Sequence, residues 1–276
     1  MLDLRPFLRR RRAAVALAVC TVGTVGSWIS APTCMYLVHR LVTSYGRDPE
    51  TTALLHRAEL IVIPIVNPDG YVYTWTHSRL WRKNRSAEQR GCAGTDLNRN
   101  YDDHWRTGYG TSRNPCAQTY RGTAPASEPE IAATTAYFRH HAPIYGALDL
   151  HNYGQLLLSP LGWTADRAPD HDAFVDLMDH METSIRRVHG THYTSQTGFD
   201  FYRTSATALD WFYGEDLRTT NGGVRAYSLT LELRDTTKKG SWKFELPADQ
   251  IRPTAEEIFP SIMIFMKTAI AAPLSY

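Results

Sequence analysis

Two residues of this chain combine types and positions that could move protons. His151 closes the apolar run that begins GALDL, and Glu232 lies inside YSLTLEL, a run otherwise too apolar to welcome a carboxylate. An imidazole beside a carboxylate can exchange protons with a substrate, and an imidazole is also a common metal ligand. Taken singly, each is more often a satisfied core histidine or a carboxylate paired with an arginine such as Arg234. At the ends of two strands together, they point to a site. Two further segments bring fixed positive charge. Arg79-Leu80-Trp81-Arg82-Lys83-Asn84-Arg85-Ser86 sets guanidinium groups beside a tryptophan, which by default reads as a solvated basic face. Asp96-Leu97-Asn98-Arg99-Asn100-Tyr101 offers an amide and a planar guanidinium side by side, a pair shaped to grip a carboxylate.

The elements that must position these groups follow from periodicity. Glu59 to Val66 is a β-branched apolar run that ends in Asn67-Pro68-Asp69-Gly70, which reads as a buried strand feeding a turn. Gly146 to His151 and Tyr227 to Leu233 read the same way. Helices are expected between them. Ser127 and Glu130 have capping-box spacing before Ile131 to His141, Asp172 to His189 has apolar residues at helical spacing, and Thr254 with Glu257 opens a last helix that Pro260 kinks. Met35, Leu37, Val38, Leu41, Val42 and Tyr45 read as the buried face of an earlier helix, stopped at Gly46. Alternating strands and helices imply an α/β fold, with a central mixed, mainly parallel sheet sandwiched by helices. Such sheets bind ligands beyond the carboxyl ends of their strands, where His151 and Glu232 fall.

Lys and Arg number 30 against 28 Asp and Glu, a net charge of +2 that argues against nucleic acid as a partner. A hydrophobic share of 43% with 21% charged residues excludes a disordered or polytopic membrane chain. Cys92 and Cys116 flank a loop rich in Gly, Asn, Asp and Arg; they either close it in an oxidising compartment or are two free thiols. Arg5 and Arg9 to Arg12 precede 26 residues, Ala13 to Val38, without Lys, Arg, Asp or Glu. A basic head followed by an apolar run reads as a secretory leader or an amino-terminal anchor. The small polar residues after Val25 favour a signal-like segment over a stable span. Residues 1–27 are therefore expected to be a leader, signal-like or joined from unrelated sequence, and residues 28–276 one domain.

Five blocks in order carry a resemblance: Val66-Asn67-Pro68-Asp69-Gly70-Tyr71, RLWRKNRS from Arg79, TDLNRNY from Thr95, DLHNYGQLLLSP from Asp149 and LTLELRDT from Leu229. From Trp28 almost to the carboxyl terminus the chain resembles the zinc metallocarboxypeptidases of the pancreatic carboxypeptidase A and B type. That resemblance implies Zn2+ as cofactor, with His151 as one ligand and Glu232 as the general base. It implies that Arg82 polarises the scissile carbonyl, that Asn98 and Arg99 clamp the substrate's terminal carboxylate, and that Arg79 is a secondary arginine. Tyr202, in GFDFYRTSATALDW, resembles the mobile tyrosine that closes over the bound residue, and Asn152 and Tyr153 the wall of the next subsite. Cys92 and Cys116 fall where the family has a disulfide. Leu209 stands at the pocket floor where basic-specific members carry a carboxylate. This implies a preference for apolar or aromatic carboxyl-terminal residues, in a pocket altered by Thr204 and Thr207. The partners implied are peptide and protein carboxyl termini, for a secreted monomer.

The chain departs from the family just before Trp28. Aligning on Trp28-Ile29-Ser30 puts Thr24 and Ser27 where the family's H-x-x-E block supplies the other two zinc ligands. Asp96 corresponds to the residue that orients the first of these. His39, His56, His77 and His104 lack the spacing to replace them. The first strands of the catalytic domain are also expected to be absent. Three readings follow: an enzyme copy altered upstream of Trp28, which is the expectation, a non-catalytic binder of peptide carboxyl termini, or an anchored ectodomain. On the first reading, this version of a metallocarboxypeptidase is impaired.

Overall fold

A computed structural model describes residues 13–19, 27–87, 89–141, 143–237, 240–271 and 274. A six-stranded sheet forms its centre. It is built from β1 (Ala13–Val19), β2 (Ala58–Ile63), β3 (Ile144–Asn152), β4 (Leu156–Ser159), β5 (Thr194–Thr197) and β6 (Tyr227–Leu233), in the order β2-β1-β3-β6-β4-β5. Every neighbouring pair is parallel except β4 with β6. The mixed, mainly parallel sheet is as expected.

Ala13–Val19 differs from the expected leader. It hydrogen-bonds on one side to β2 and on the other to β3, inside the sheet. The physical reason is that a short uncharged run of Ala, Val and Leu suits the middle of a parallel sheet as well as a signal segment, and composition cannot separate the two. The basic head and Thr24 lie outside the described residues. Among the described residues, no helix is long and apolar enough to cross a membrane.

Helices cover both faces. On one face α1 (Ser30–Ser44), α2 (Pro49–Arg57), α5 (His171–His189) and α9 (Ile251–Ala271) bury Leu37, Leu41, Leu54, Phe174, Met181, Ile258 and Phe265 against β3 and β6. On the other, α4 (Pro129–His140), α7 (Ala208–Tyr213) and α8 (Glu215–Thr220) pack Ile131, Phe138, Trp211, Phe212 and Leu217 together with Leu97 and Tyr101. Each such side chain contributes about 1.5 to 3 kcal/mol by leaving water. Gly146 in β3 allows the close approach of α9, because a Cβ there would lie 2.9 Å from the Phe265 ring.

Local expectations fail where the tertiary structure offers a better partner. Met35, Val42 and Tyr45 of the first helical pattern are exposed, and the buried stripe narrows to Cys34, Leu37 and Leu41. Asn67-Pro68-Asp69-Gly70 is the start of α3 (Pro68–Thr76) rather than a free turn. The Asn67 side chain accepts from the Gly70 amide at 2.9 Å, and Pro68 fills the first position, where no N–H is needed. Ser127 does not cap α4; its hydroxyl donates to Glu128 and accepts from Asn100. Helix α9 starts at Ile251 and runs through Pro260.

Glu257 does not cap α9 either. Fully buried, it takes the guanidinium of Arg234 on both oxygens, with Thr191 and Tyr193 completing the set. This ties α9 to the chain just beyond β6. Removing one partner of a buried pair strands the other charge, so Glu257→Ala is expected to cost about 3 to 5 kcal/mol in urea unfolding, whereas the double change Arg234→Met/Glu257→Leu is expected to recover most of it.

Candidate active site

The parallel pairing of β3 with β6 aligns His151 with Glu232 in register. Both lie at the carboxyl ends of their strands, on the same face of the sheet, over a cleft of about 560 Å³. Antiparallel β4 brings Leu156 opposite Glu232 and adds Leu158 to the wall. Strands bear the proton-active groups, and loops bear the rest.

Glu232 is 9% exposed. Burial pushes its pKa up to about 7, Asp149 adds to the rise, and His151, Arg82 and Arg99 oppose it. His151 Nε2 is 2.7 Å from Oδ2 of Asp149, two residues earlier on the same strand face. Burial works against the imidazolium, but the charge and hydrogen bond of Asp149, with Glu232, outweigh it and raise the His151 pKa. Asp149 was not singled out from the sequence. The signal was there, since residues two apart on a strand share a face.

Arg82 faces the cleft with its Nε donating to Asp96 Oδ2 at 2.8 Å. Asp96 is fully buried and also accepts from the Asn98 amide at 3.2 Å. It therefore fixes the cation and the amide residue at once. Asn98 lines the cleft and is held from the far side by the Ala208 amide at 2.9 Å. Arg99 is 2% exposed and lies beneath the wall. It donates to the carbonyls of Gly110 and Asn98 and, through Nη2, to the Tyr202 hydroxyl at 2.7 Å. Tyr202 is 44% exposed at the cleft mouth, so one side chain spans from solvent to the buried guanidinium.

Leu209 lines the apolar end of the cleft with Thr204 and Thr207. Gly198 allows it in, because a Cβ there would lie 3.1 Å from Leu209 Cδ2. Tyr153 sits on the opposite side, edge-on to Phe244 at 4.8 Å between centroids. Phe244 carried no signal in the sequence. Arg79 is outside the wall: its Nη2 donates to the Phe244 carbonyl at 2.6 Å and its guanidinium lies 4.0 Å over Trp28. Cys92 and Cys116 form a disulfide that closes the loop carrying Asp96, Asn98 and Arg99.

The residues present do not fit the zinc set that the resemblance implies. Ser27 is fully buried; its hydroxyl donates to the Asn152 carbonyl at 3.2 Å and accepts from the Asn152 amide at 3.3 Å, one residue past His151. It brings a hydroxyl, not a carboxylate, to that position. Among the described residues, no three His, Cys, Asp or Glu side chains group together as a metal site.

The chain is similar in sequence and in structure to known proteins. The family model for zinc carboxypeptidases matches residues 26–261. Carboxypeptidase A4 of Mus musculus is 38% identical over 242 residues, covering 87% of this chain and 55% of that protein. Carboxypeptidase B of Bos taurus is 38% identical over 238 residues, covering 85% of this chain and 54% of that protein. Thrombin activatable fibrinolysis inhibitor is similar in structure, with a TM-score of 0.85 and 31% identity over 96% of this chain and 64% of its own. The chain spans about half the length of the curated relatives it matches.

The site predicts a pH effect of definite sign. Glu232 is raised in the folded state, so between about pH 4.5 and pH 7 the folded chain holds a proton that the unfolded chain releases, and stability falls as pH rises through that window. In EDTA-dialysed protein, Glu232→Gln is expected to gain stability over the original chain by on the order of 3 kcal/mol on going from about pH 5 to pH 8, measured by urea unfolding.

Proposed function

The chain belongs to the zinc carboxypeptidase family, and on that premise we propose that it takes the carboxyl-terminal residue of a peptide into the cleft, on a hydrolytic site that is impaired in this chain. The observation that carries this reading is the buried Ser27 hydroxyl at the end of β3, where the family pattern calls for a carboxylate ligand.

The remaining residues suit recognition and polarisation of a peptide end. Asn98 and Arg99 take the terminal carboxylate, with Arg99 giving up its bond to Tyr202 in exchange. The terminal side chain enters toward Leu209, which has no charge to pair with Lys or Arg and so favours apolar or aromatic residues. Arg82, pinned by Asp96, faces the last peptide carbonyl and steadies charge on its oxygen. Glu232 is poised near neutrality to take a proton from water. Tyr202 covers the bound residue, and Tyr153 with Arg79 shapes the flank for the residue upstream. With the zinc ligands incomplete among the described residues, these groups bind and polarise the peptide more effectively than they cleave it. The Cys92–Cys116 bridge supports secretion, and the expected state is a monomer.

A second reading, a non-catalytic binder of peptide carboxyl termini, rests on the same Ser27 observation and is separated from the first by turnover. Both are tested on the full chain after zinc loading and dialysis. The expected result is far less than one zinc per chain, with a phenylalanine-ended peptide bound in preference to its carboxamide and that preference lost in Asn98→Ala. Residual release of the terminal phenylalanine supports impairment, and none supports the binder. A zinc ratio near one that falls on His151→Ala, with rapid release, overturns both.

A further inference from the structure

Behind the apolar end of the cleft lies a buried carboxylate that the proposed chemistry does not use. Asp210 follows Leu209 in α7 and is 1% exposed. Both of its oxygens accept from the Gly162 amide, at 3.0 and 3.1 Å. Gly162 passes this restraint to the cleft wall. Its carbonyl accepts from the Thr204 amide at 2.9 Å, and the preceding Leu161 carbonyl accepts from the Phe199 amide at 3.0 Å. A Cβ on Gly198 would lie 3.2 Å from the Gly162 Cα, and one on Gly162 itself 3.1 Å from Asp210 Oδ2. One carboxylate thus holds the Leu161–Gly162 peptide unit, and that unit with the Gly162 carbonyl that follows it holds both ends of the segment carrying Tyr202: α6 (Gly198–Phe201) before it and Thr204 after it.

The charged groups that face this carboxylate come from one other segment. Asp103 holds His104 Nδ1 at 2.6 Å, and the His104 ring stacks on Trp163 at 3.7 Å. Arg203 binds the Trp163 carbonyl from the exposed side at 3.0 Å. Burial and the nearby Asp103 push the Asp210 pKa up to about 7, against the pull of the Gly162 amide, His104 and Thr207.

We propose that Asp210 is a positioning residue whose ionisation sets the width of the side-chain end of the cleft. Ionised, it grips the Gly162 amide and draws Thr204 and the Tyr202 arm toward Leu209. Neutral, it holds that amide more weakly, and the arm relaxes to admit a bulkier terminal side chain. The peptide half of this inference rests on the reading of the cleft given above; the backbone half does not.

The test uses the full chain in a pH series from about pH 5.5 to about pH 8.5, spanning the Asp210 titration. Amide exchange is followed over residues 160–164 and 198–204 and corrected for intrinsic rates, alongside binding of benzoyl-glycyl-phenylalanine and benzoyl-glycyl-alanine. Protection of both segments is expected to be about threefold to tenfold greater at the higher pH, the effect of one strengthened hydrogen bond. The preference for phenylalanine over alanine is expected to be larger at the lower pH. Asp210→Asn is expected to show the low-pH exchange pattern across the series. His104→Gln, which leaves the clamp in place but removes a cation, is expected to move the midpoint upward, and it decides the matter should Asp210→Asn fail to fold. A pH-independent exchange pattern in the original chain, or an unmoved midpoint in His104→Gln, overturns the proposal. Failure of both peptides to bind while the exchange pattern changes as stated rejects the peptide half and the reading of the cleft, and leaves the Asp210 clamp supported.

Discussion

The burial of Glu232 beside His151, at the ends of two paired parallel strands, is the constraint around which the rest of the site is organised. An isolated ionised carboxylate is costly away from water, and the usual outcome is neutralisation or pairing. The arginine two residues further along does not supply the pair, because Arg234 is consumed by Glu257 on α9. The compensation comes first from His151 on the paired strand and then from Arg82 and Arg99, which act on Glu232 from loops. A strand pair rigid enough to hold the carboxylate therefore requires loops rigid enough to hold the guanidiniums.

Asp96 meets that requirement. It is fully buried, and by accepting from Arg82 and from the Asn98 amide it converts two loop residues into fixed parts of the wall. The loop is restrained further by the Cys92–Cys116 bridge, by buried Lys83 donating to the Pro115 carbonyl, and by Asn84 accepting from the Thr95 amide while donating to Glu128. Each restraint removes conformational freedom that would otherwise have to be lost again whenever a peptide is bound. Arg79 illustrates the opposite case. It lies on the Phe244 carbonyl and the Trp28 ring, outside the cleft wall.

Strands β3 and β6 were legible because each is a short, mostly apolar run of strand length, and it was His151 and Glu232 together, not either alone, that pointed to a site. The segment from Asp96 was legible because an amide beside a planar guanidinium is shaped to grip a carboxylate, whereas the segment from Arg79 reads by spacing as a solvated basic face and was marked only by the resemblance. Ala13–Val19 was not legible as a strand, since an apolar segment after a basic head satisfies two physical patterns at once. The exposed Met35 and Val42 misled for a related reason: helical spacing identifies a stripe, while its width depends on what α1 packs against. Phe244 and Asp210 reach the site through tertiary contacts alone, with no local pattern to mark them. Arg99 was found by type, while its depth beneath the wall depends on Gly110, eleven residues further on, and carried no local signal.

The same electrostatic accounting shows why the Ser27 position affects more than one ligand. Asp96, Asp149 and Glu232 face Arg82, Arg99 and a histidine whose protonated form is favoured by its neighbours. Once Glu232 is ionised, three carboxylates stand against two guanidiniums and an imidazolium, a set balanced among these groups. A carboxylate introduced at Ser27 would enter a fully buried position whose hydrogen bonds are already exchanged with the Asn152 backbone, and it would tip that balance by a full charge. A dication could offset the cost only if His151 became neutral, its Nδ1 taking the metal while Nε2–H keeps its bond to Asp149. Ligand, metal and imidazole must therefore change together, and a single substitution at Ser27 moves the site toward a stranded charge before it moves it toward a metal centre.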